Sequence, residues 1–258
     1  MAKKKQSPAA DKVQGMLVNV VLDRSGSMGS VKSSTISGYN EYLNGIKADK
    51  DTKYSISLIQ FDSPGDNPEL TVSYMDKPLA EVPDLTDKTY EPRGGTPLYD
   101  AIGECIRRVD AKGRGVITVI ITDGQENSSK EFSKDSIKAL ITGKEAEGWK
   151  FIFLGANIDS AAVGGSLGIA AQACANYQSS AAGVHGTFTA MASSNLRYAA
   201  DARTKGLRSA NMVSSFTETE RSSMMGGRPA APPPFQQAAA KSTAGKKRGW
   251  NVTEVPSA

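Results

Sequence analysis

Histidine is nearly absent from this chain; His185 is the only one. Cysteine is scarce too, with Cys105 and Cys174 far apart. No zinc-type spacing exists, and two distant thiols make no disulfide scaffold. Cys105 falls on the apolar face of an expected helix, which favours a buried thiol over a disulfide. Long apolar runs are missing, so no stretch approaches the length of a membrane span. The N-terminus is basic, but no apolar signal core follows it. These absences lead us to expect a soluble, cytoplasmic protein of a reducing compartment. There is no Gly-x-x-x-x-Gly-Lys-Ser/Thr loop, so nucleotide hydrolysis of that type is not expected.

The charge is uneven. The formal net charge is +4, yet residues 12–201 carry 19 basic and 23 acidic side chains. From Arg203 onward there are nine basic and three acidic. The body is mildly acidic and the ends are basic. Residues 1–12 are polar and lysine-rich, and 206–258 are rich in Pro, Ala and Ser, with the run Pro232-Pro233-Pro234. Both read as disordered tails around one domain spanning 13–205. Only Phe216, Phe235 and Trp250 accompany the C-terminal charges. Nucleic acid is therefore not expected as a partner beyond weak, salt-dependent attraction.

What is present is a series of apolar strands that stop abruptly. Met16–Leu22 is almost continuously apolar, which suits a strand covered on both faces. It ends at Asp23-Arg24-Ser25-Gly26-Ser27. By themselves these residues also read as a turn with a serine N-cap. Tyr39, Tyr42, Leu43 and Ile46 then recur at helical spacing, giving a helix from Gly29 to about Lys47. Tyr54–Phe61 and Leu70–Met75 read as strands, the latter an antiparallel edge. Gly94-Gly95-Thr96-Pro97 leads into a helix with the stripe Leu98, Ile102, Cys105, Ile106 and Val109. Val116–Thr122 is a β-branched strand ending at Asp123-Gly124. Ser133 caps a helix with Ile137, Leu140 and Ile141 inward, and Gly148 ends it. Trp149–Leu154 is a further strand. The Ala- and Gly-rich segment 158–178 leaves room for a short helix and an edge strand near Cys174–Tyr177. A closing helix runs from Thr187 to Arg203.

Strands alternating with helices predict an α/β, Rossmann-like, doubly wound fold. The central sheet is mostly parallel, with helices on both faces and one antiparallel edge strand. Ligands of such sheets sit beyond the carboxyl ends of the strands, where the strand order reverses. Asp23 and Asp123 fall at two such ends.

The three loops together resemble the metal-ion-dependent adhesion site (MIDAS) of the von Willebrand factor A (VWA) domain family. Asp23, Ser25 and Ser27 match its first element, Thr96 its second and Asp123 its third, over a region from about Leu17 to Arg203. The resemblance implies a Mg²⁺ or Mn²⁺ site. Ser25, Ser27 and Thr96 would be direct ligands, and Asp23 and Asp123 ligands or acceptors through water. It implies a non-catalytic module in which a partner protein supplies an Asp or Glu to the metal. Two other roles also fit: an accessory subunit of a motor or chelatase-type complex, or a structural component of a larger particle. The compact form is similar to small bacterial and phage members, which would make the protein virion-associated if phage-encoded. Arg24 lies inside the first motif and is expected to be solvated or to favour an acidic partner.

Enzyme readings find less support. An aspartyl-phosphate hydrolase normally carries a second aspartate where Ser25 stands. Gly164-Gly165-Ser166-Leu167-Gly168 fits G-x-S-x-G, but no acid lies between Ser166 and His185, and no strand directly precedes the glycines.

Overall fold

The computed structural model describes residues 14–65, 67–207 and 216–227. Six strands form one sheet in the order β3-β2-β1-β4-β5-β6. They are β1 (Met16–Asp23), β2 (Tyr54–Asp62), β3 (Glu69–Pro78), β4 (Gly115–Thr122), β5 (Lys150–Gly155) and β6 (Cys174–Asn176). All neighbouring pairs are parallel except β2 and β3, which are antiparallel. β1 and β4 are adjacent, and the chain winds outward from them in both directions. Their carboxyl ends therefore form the reversal crevice.

The helices are α1 (Lys32–Lys47), α2 (Leu98–Arg108), α3 (Lys134–Ala146), α4 (Ser160–Ser166), α5 (Ala181–Lys205) and α6 (Glu218–Met224). Every residue of β1 and β4 is buried, as expected for strands covered on both faces. On one face Val18, Val20 and Leu22 pack with Tyr39, Tyr42 and Leu43 of α1 and Phe188 and Met191 of α5. On the other, Leu17 and Val21 pack with Leu98, Ile102 and Cys105 of α2 and Ile137 and Ile141 of α3. Each such aliphatic side chain contributes about 1.5–3 kcal/mol when buried. Two full faces explain why these strands are the rigid centre on which loops can be mounted. Both cysteines are free and buried. No helix among the described residues is long and apolar enough to cross a membrane.

Three local readings differ from the structure. The helix expected from Gly29 begins as a 3₁₀ turn, Gly26–Val31, and becomes α-helical at Lys32. The closing helix starts six residues earlier than Thr187, at Ala181, because the Ser180 hydroxyl caps it by accepting from the Gly183 amide. The expected disorder from 206 onward does not hold for 216–227, where α6 packs on the domain. Phe216 and Met224 are buried. Glu220 forms a two-pronged pair with Arg197 at 2.7 and 3.0 Å. Residues 1–13, 66, 208–215 and 228–258 lie outside the described residues, and with them the expected N-terminal tail and most of the C-terminal one.

Candidate metal centre

Asp23 ends β1, and its carboxylate is fully buried. One oxygen accepts the Ser25 amide at 2.7 Å and the other accepts the Thr122 hydroxyl at 2.6 Å. The loop therefore curls back on its own aspartate, which turns Ser25 and Ser27 to the same side. Their hydroxyl oxygens are 3.2 Å apart. The Ser27 hydroxyl donates to Asp123 Oδ1 at 2.5 Å, bridging the ends of β1 and β4. Thr96 arrives from the loop before α2. Its amide donates to Asn127 Oδ1 at 2.8 Å, and its carbonyl accepts the Asn127 amide at 3.2 Å. Its hydroxyl faces Gly124, where a methyl group would stand 3.4 Å from Thr96 Oγ1. All five expected residues thus gather at one place. Four are chained by hydrogen bonds, and the fifth reaches in across Gly124.

The loops are also tied to each other. The Arg93 amide donates to the Arg24 carbonyl at 2.8 Å, and the Gly26 amide to the Gly94 carbonyl at 3.0 Å. The Gly95 amide donates to the Ser63 carbonyl at 3.1 Å. Gly94 has φ +65°, and a side chain there would meet the Ser63 carbonyl oxygen at 2.0 Å. Only glycine permits that approach. Tyrosines seal the floor: Tyr90 donates to the Asp23 carbonyl at 2.7 Å, and Tyr177 to the Thr122 carbonyl at 3.1 Å.

Arg24 is not solvated. It is buried, and its guanidinium holds Asp62 through Nε at 3.2 Å and a terminal nitrogen at 3.0 Å. The partners are separated by 38 residues, a pairing that local sequence does not reveal. Thr122 and Asn127 also escaped the sequence reading. A hydroxyl at the carboxyl end of a mostly aliphatic strand was the available sign for Thr122. Asn127 carried no sign at all.

Burial pushes the Asp23 carboxyl up to about 6; its bonds from Thr122 and Ser25 oppose the rise, and the charge of Asp123 adds to it. Burial also raises Asp123, against the bond from Ser27. Among the described residues, no lysine or arginine forms an ion pair with either carboxylate. Two acids so placed form an uncompensated negative pocket. Among the described residues there is also no cluster of three or more His, Cys, Asp or Glu side chains. The donor set here is instead two carboxylates and three hydroxyls, all oxygen. That chemistry suits a hard cation such as Mg²⁺ or Mn²⁺.

No family model matches the chain, and no curated protein matches its sequence. Solved structures do match. The pilus adhesin SpaC from Lactobacillus rhamnosus GG is similar over 72% of this chain and 31% of its own, with 14% identity and a TM-score of 0.55. Proximal thread matrix protein 1 from the mussel byssus is similar over 72% of this chain and 49% of its own, with 10% identity and a TM-score of 0.50. A von Willebrand factor type A protein from Catenulispora acidiphila gives a looser likeness, with 12% identity and a TM-score of 0.45 over 72% and 43% of the two chains. The chain spans half or less of the length of these proteins, and at such identities the likeness is one of fold. The strand order, the helices on both faces and the three motif loops at the reversal crevice make this a von Willebrand factor A-like fold.

Proposed function

We propose that the chain is a non-catalytic, divalent-cation-dependent protein-binding module that takes an acidic side chain of its partner at the Asp23–Asp123 crevice. The observation that carries this reading is the pair of buried carboxylates with no ion-paired lysine or arginine among the described residues, ringed by three hydroxyl groups. Ser27 and Thr122 spend their hydroxyl protons on Asp123 and Asp23. In Ser27 this leaves oxygen lone pairs for a cation. Ser25, Ser27 and Thr96 would hold Mg²⁺ or Mn²⁺ directly, and Asp23 and Asp123 directly or through water. When bound, the cation supplies an open coordination position with residual positive field. Where the two carboxylates act through water, the neutral hydroxyls that touch the ion leave its charge locally unquenched, so an acidic side chain of a partner can fill the open position.

The motif Gly164–Gly168 lends no support to a hydrolase. It forms the end of α4 and the turn after it, and the Ser166 hydroxyl donates to the Val163 carbonyl.

Calorimetric titration with MgCl₂ and MnCl₂ tests the centre. Saturable binding is expected for the wild type and none for Asp23→Ala. Equal heats from both proteins would remove the metal reading.

A further inference from the structure

Asp62 closes β2, one strand away from Asp23, and its side chain has no solvent exposure. Two arginines converge on it. Arg24 comes from the loop that carries Ser25 and Ser27, and donates at 3.2 and 3.0 Å. Arg93 comes from the loop that carries Thr96, and its Nε donates at 2.6 Å. Glu69 at the start of β3 closes the group from outside, 2.6 Å from Arg93 and 3.7 Å from Arg24. Arg24 also donates to the Thr71 hydroxyl at 3.0 Å.

We infer that Asp62 is the positioning residue of the metal centre: one buried carboxylate that holds both donor loops in register through Arg24 and Arg93. The inference rests on the metal reading above. Its physical content is distinct, because the described hydrogen bonds of the Asp62 carboxylate come from the two arginines and not from any of the five proposed ligands. The backbones of the two loops meet in the bonds Arg93 to Arg24 and Gly26 to Gly94. These bonds set the spacing of the loops. The angle between them depends on the side chains beneath. A carboxylate shared by two guanidinium groups fixes that angle, since each planar fork accepts only a narrow range of directions. Without Asp62, the buried Arg24 and the half-exposed Arg93 would face each other beside the site. The loops would separate, and the hydroxyls of Ser25 and Ser27 would no longer converge with Thr96. Outer residues of this kind typically alter metal affinity by roughly 10–100-fold.

The control is at the other end of the sheet. Asp76 is held by Arg114 in a similar fork, with one bond at 2.8 Å, beside the start of β4 and remote from the crevice. Mg²⁺ titration of wild type, Asp62→Asn and Asp76→Asn, with melting of each in EDTA, separates the alternatives. Asp62→Asn is expected to bind Mg²⁺ at least tenfold more weakly. Asp76→Asn is expected to melt lower in EDTA yet keep wild-type affinity. Asp62→Glu, which restores the charge, is expected to recover part of the loss. Should Asp62→Asn fail to fold, Arg93→Gln tests the same tie while leaving the Arg24–Asp62 pair in place, and several-fold weaker binding is expected. Wild-type affinity in Asp62→Asn, or in Arg93→Gln, overturns the positioning role alone. A wild type that gives neither Mg²⁺ heat nor a melting shift overturns the metal centre, and the positioning role with it.

Discussion

A carboxylate that is held neutral more easily in the folded protein than in the unfolded chain makes stability fall as pH rises. Asp23 is such a group, lifted from 3.8 to about 6 by its burial. Below 3.8 it is protonated in both states and costs nothing. Between 3.8 and about 6 the folded state keeps a proton that the unfolded chain has lost, and stability declines across that window. A shift of this size amounts to about 3 kcal/mol at neutral pH, and Asp123 adds in the same direction. Asp23→Asn removes the ionisation but keeps the shape, and its amide can still accept from Ser25. In EDTA at pH 7.5 this variant is expected to melt above the wild type, with the gap closing near pH 4. Mg²⁺ is expected to raise the wild-type melting point at pH 7.5, less so at pH 5, and to leave Asp23→Asn unmoved. A wild type as stable as Asp23→Asn at pH 7.5 would mean that the buried charge is compensated by something other than a cation.

The loops are mounted on elements whose legibility in sequence varied for physical reasons. β1 and β4 are nearly unbroken apolar runs that stop at aspartates, and burial on both faces leaves little else for such runs to be. The proposed donors Asp23, Ser25, Ser27, Thr96 and Asp123 could be named as a candidate set because each sits at the end of one of these runs or on the glycine loop before α2. What the sequence hid depends on contacts between distant segments: the Arg24–Asp62 pair, the Asn127 clasp on Thr96, and the docking of α6. A local sign of α6 did exist. Thr217 and Glu220 form a capping box, but its surroundings are too polar to suggest a packed helix. The docking relies on a close approach to α5. A methyl group at Gly186 would lie 2.3 Å from the Ser223 carbonyl oxygen. Arg221 adds bonds to the carbonyls of Cys174 and Gln172, at the open edge of the sheet. Gly186→Ala should favour α5 itself by up to about 1 kcal/mol while expelling α6. Hydrogen exchange is expected to show residues 217–225 losing protection in this variant while α5 keeps its own. Unchanged protection in 217–225 would show that α6 is held by something other than that contact.

At the scale of the whole molecule, the question is which surface meets other proteins, and the sheet gives an asymmetric answer. Its carboxyl edge carries the oxygen-lined crevice and the half-exposed Arg93, whereas the open β6 edge is bridged by Arg221. A partner drawn to the crevice would depend on the cation, and one drawn elsewhere would not. Affinity capture from the native source with immobilised protein, in Mg²⁺ and in EDTA, reads that difference. Thr96→Ala gives a second and independent loss of the site. It removes one hydroxyl donor and leaves the Asn127 clasp intact, because that clasp uses only the Thr96 backbone. A binding module of the proposed kind is expected to lose the same partner in EDTA and in Thr96→Ala. An Asp or Glu of that partner, changed to Asn or Gln, is expected to reproduce the loss. An accessory subunit of a motor-type complex, or a component of a larger particle, would instead hold its neighbours through broad surfaces. In that case capture would survive both treatments, and the crevice would serve the fold rather than recognition.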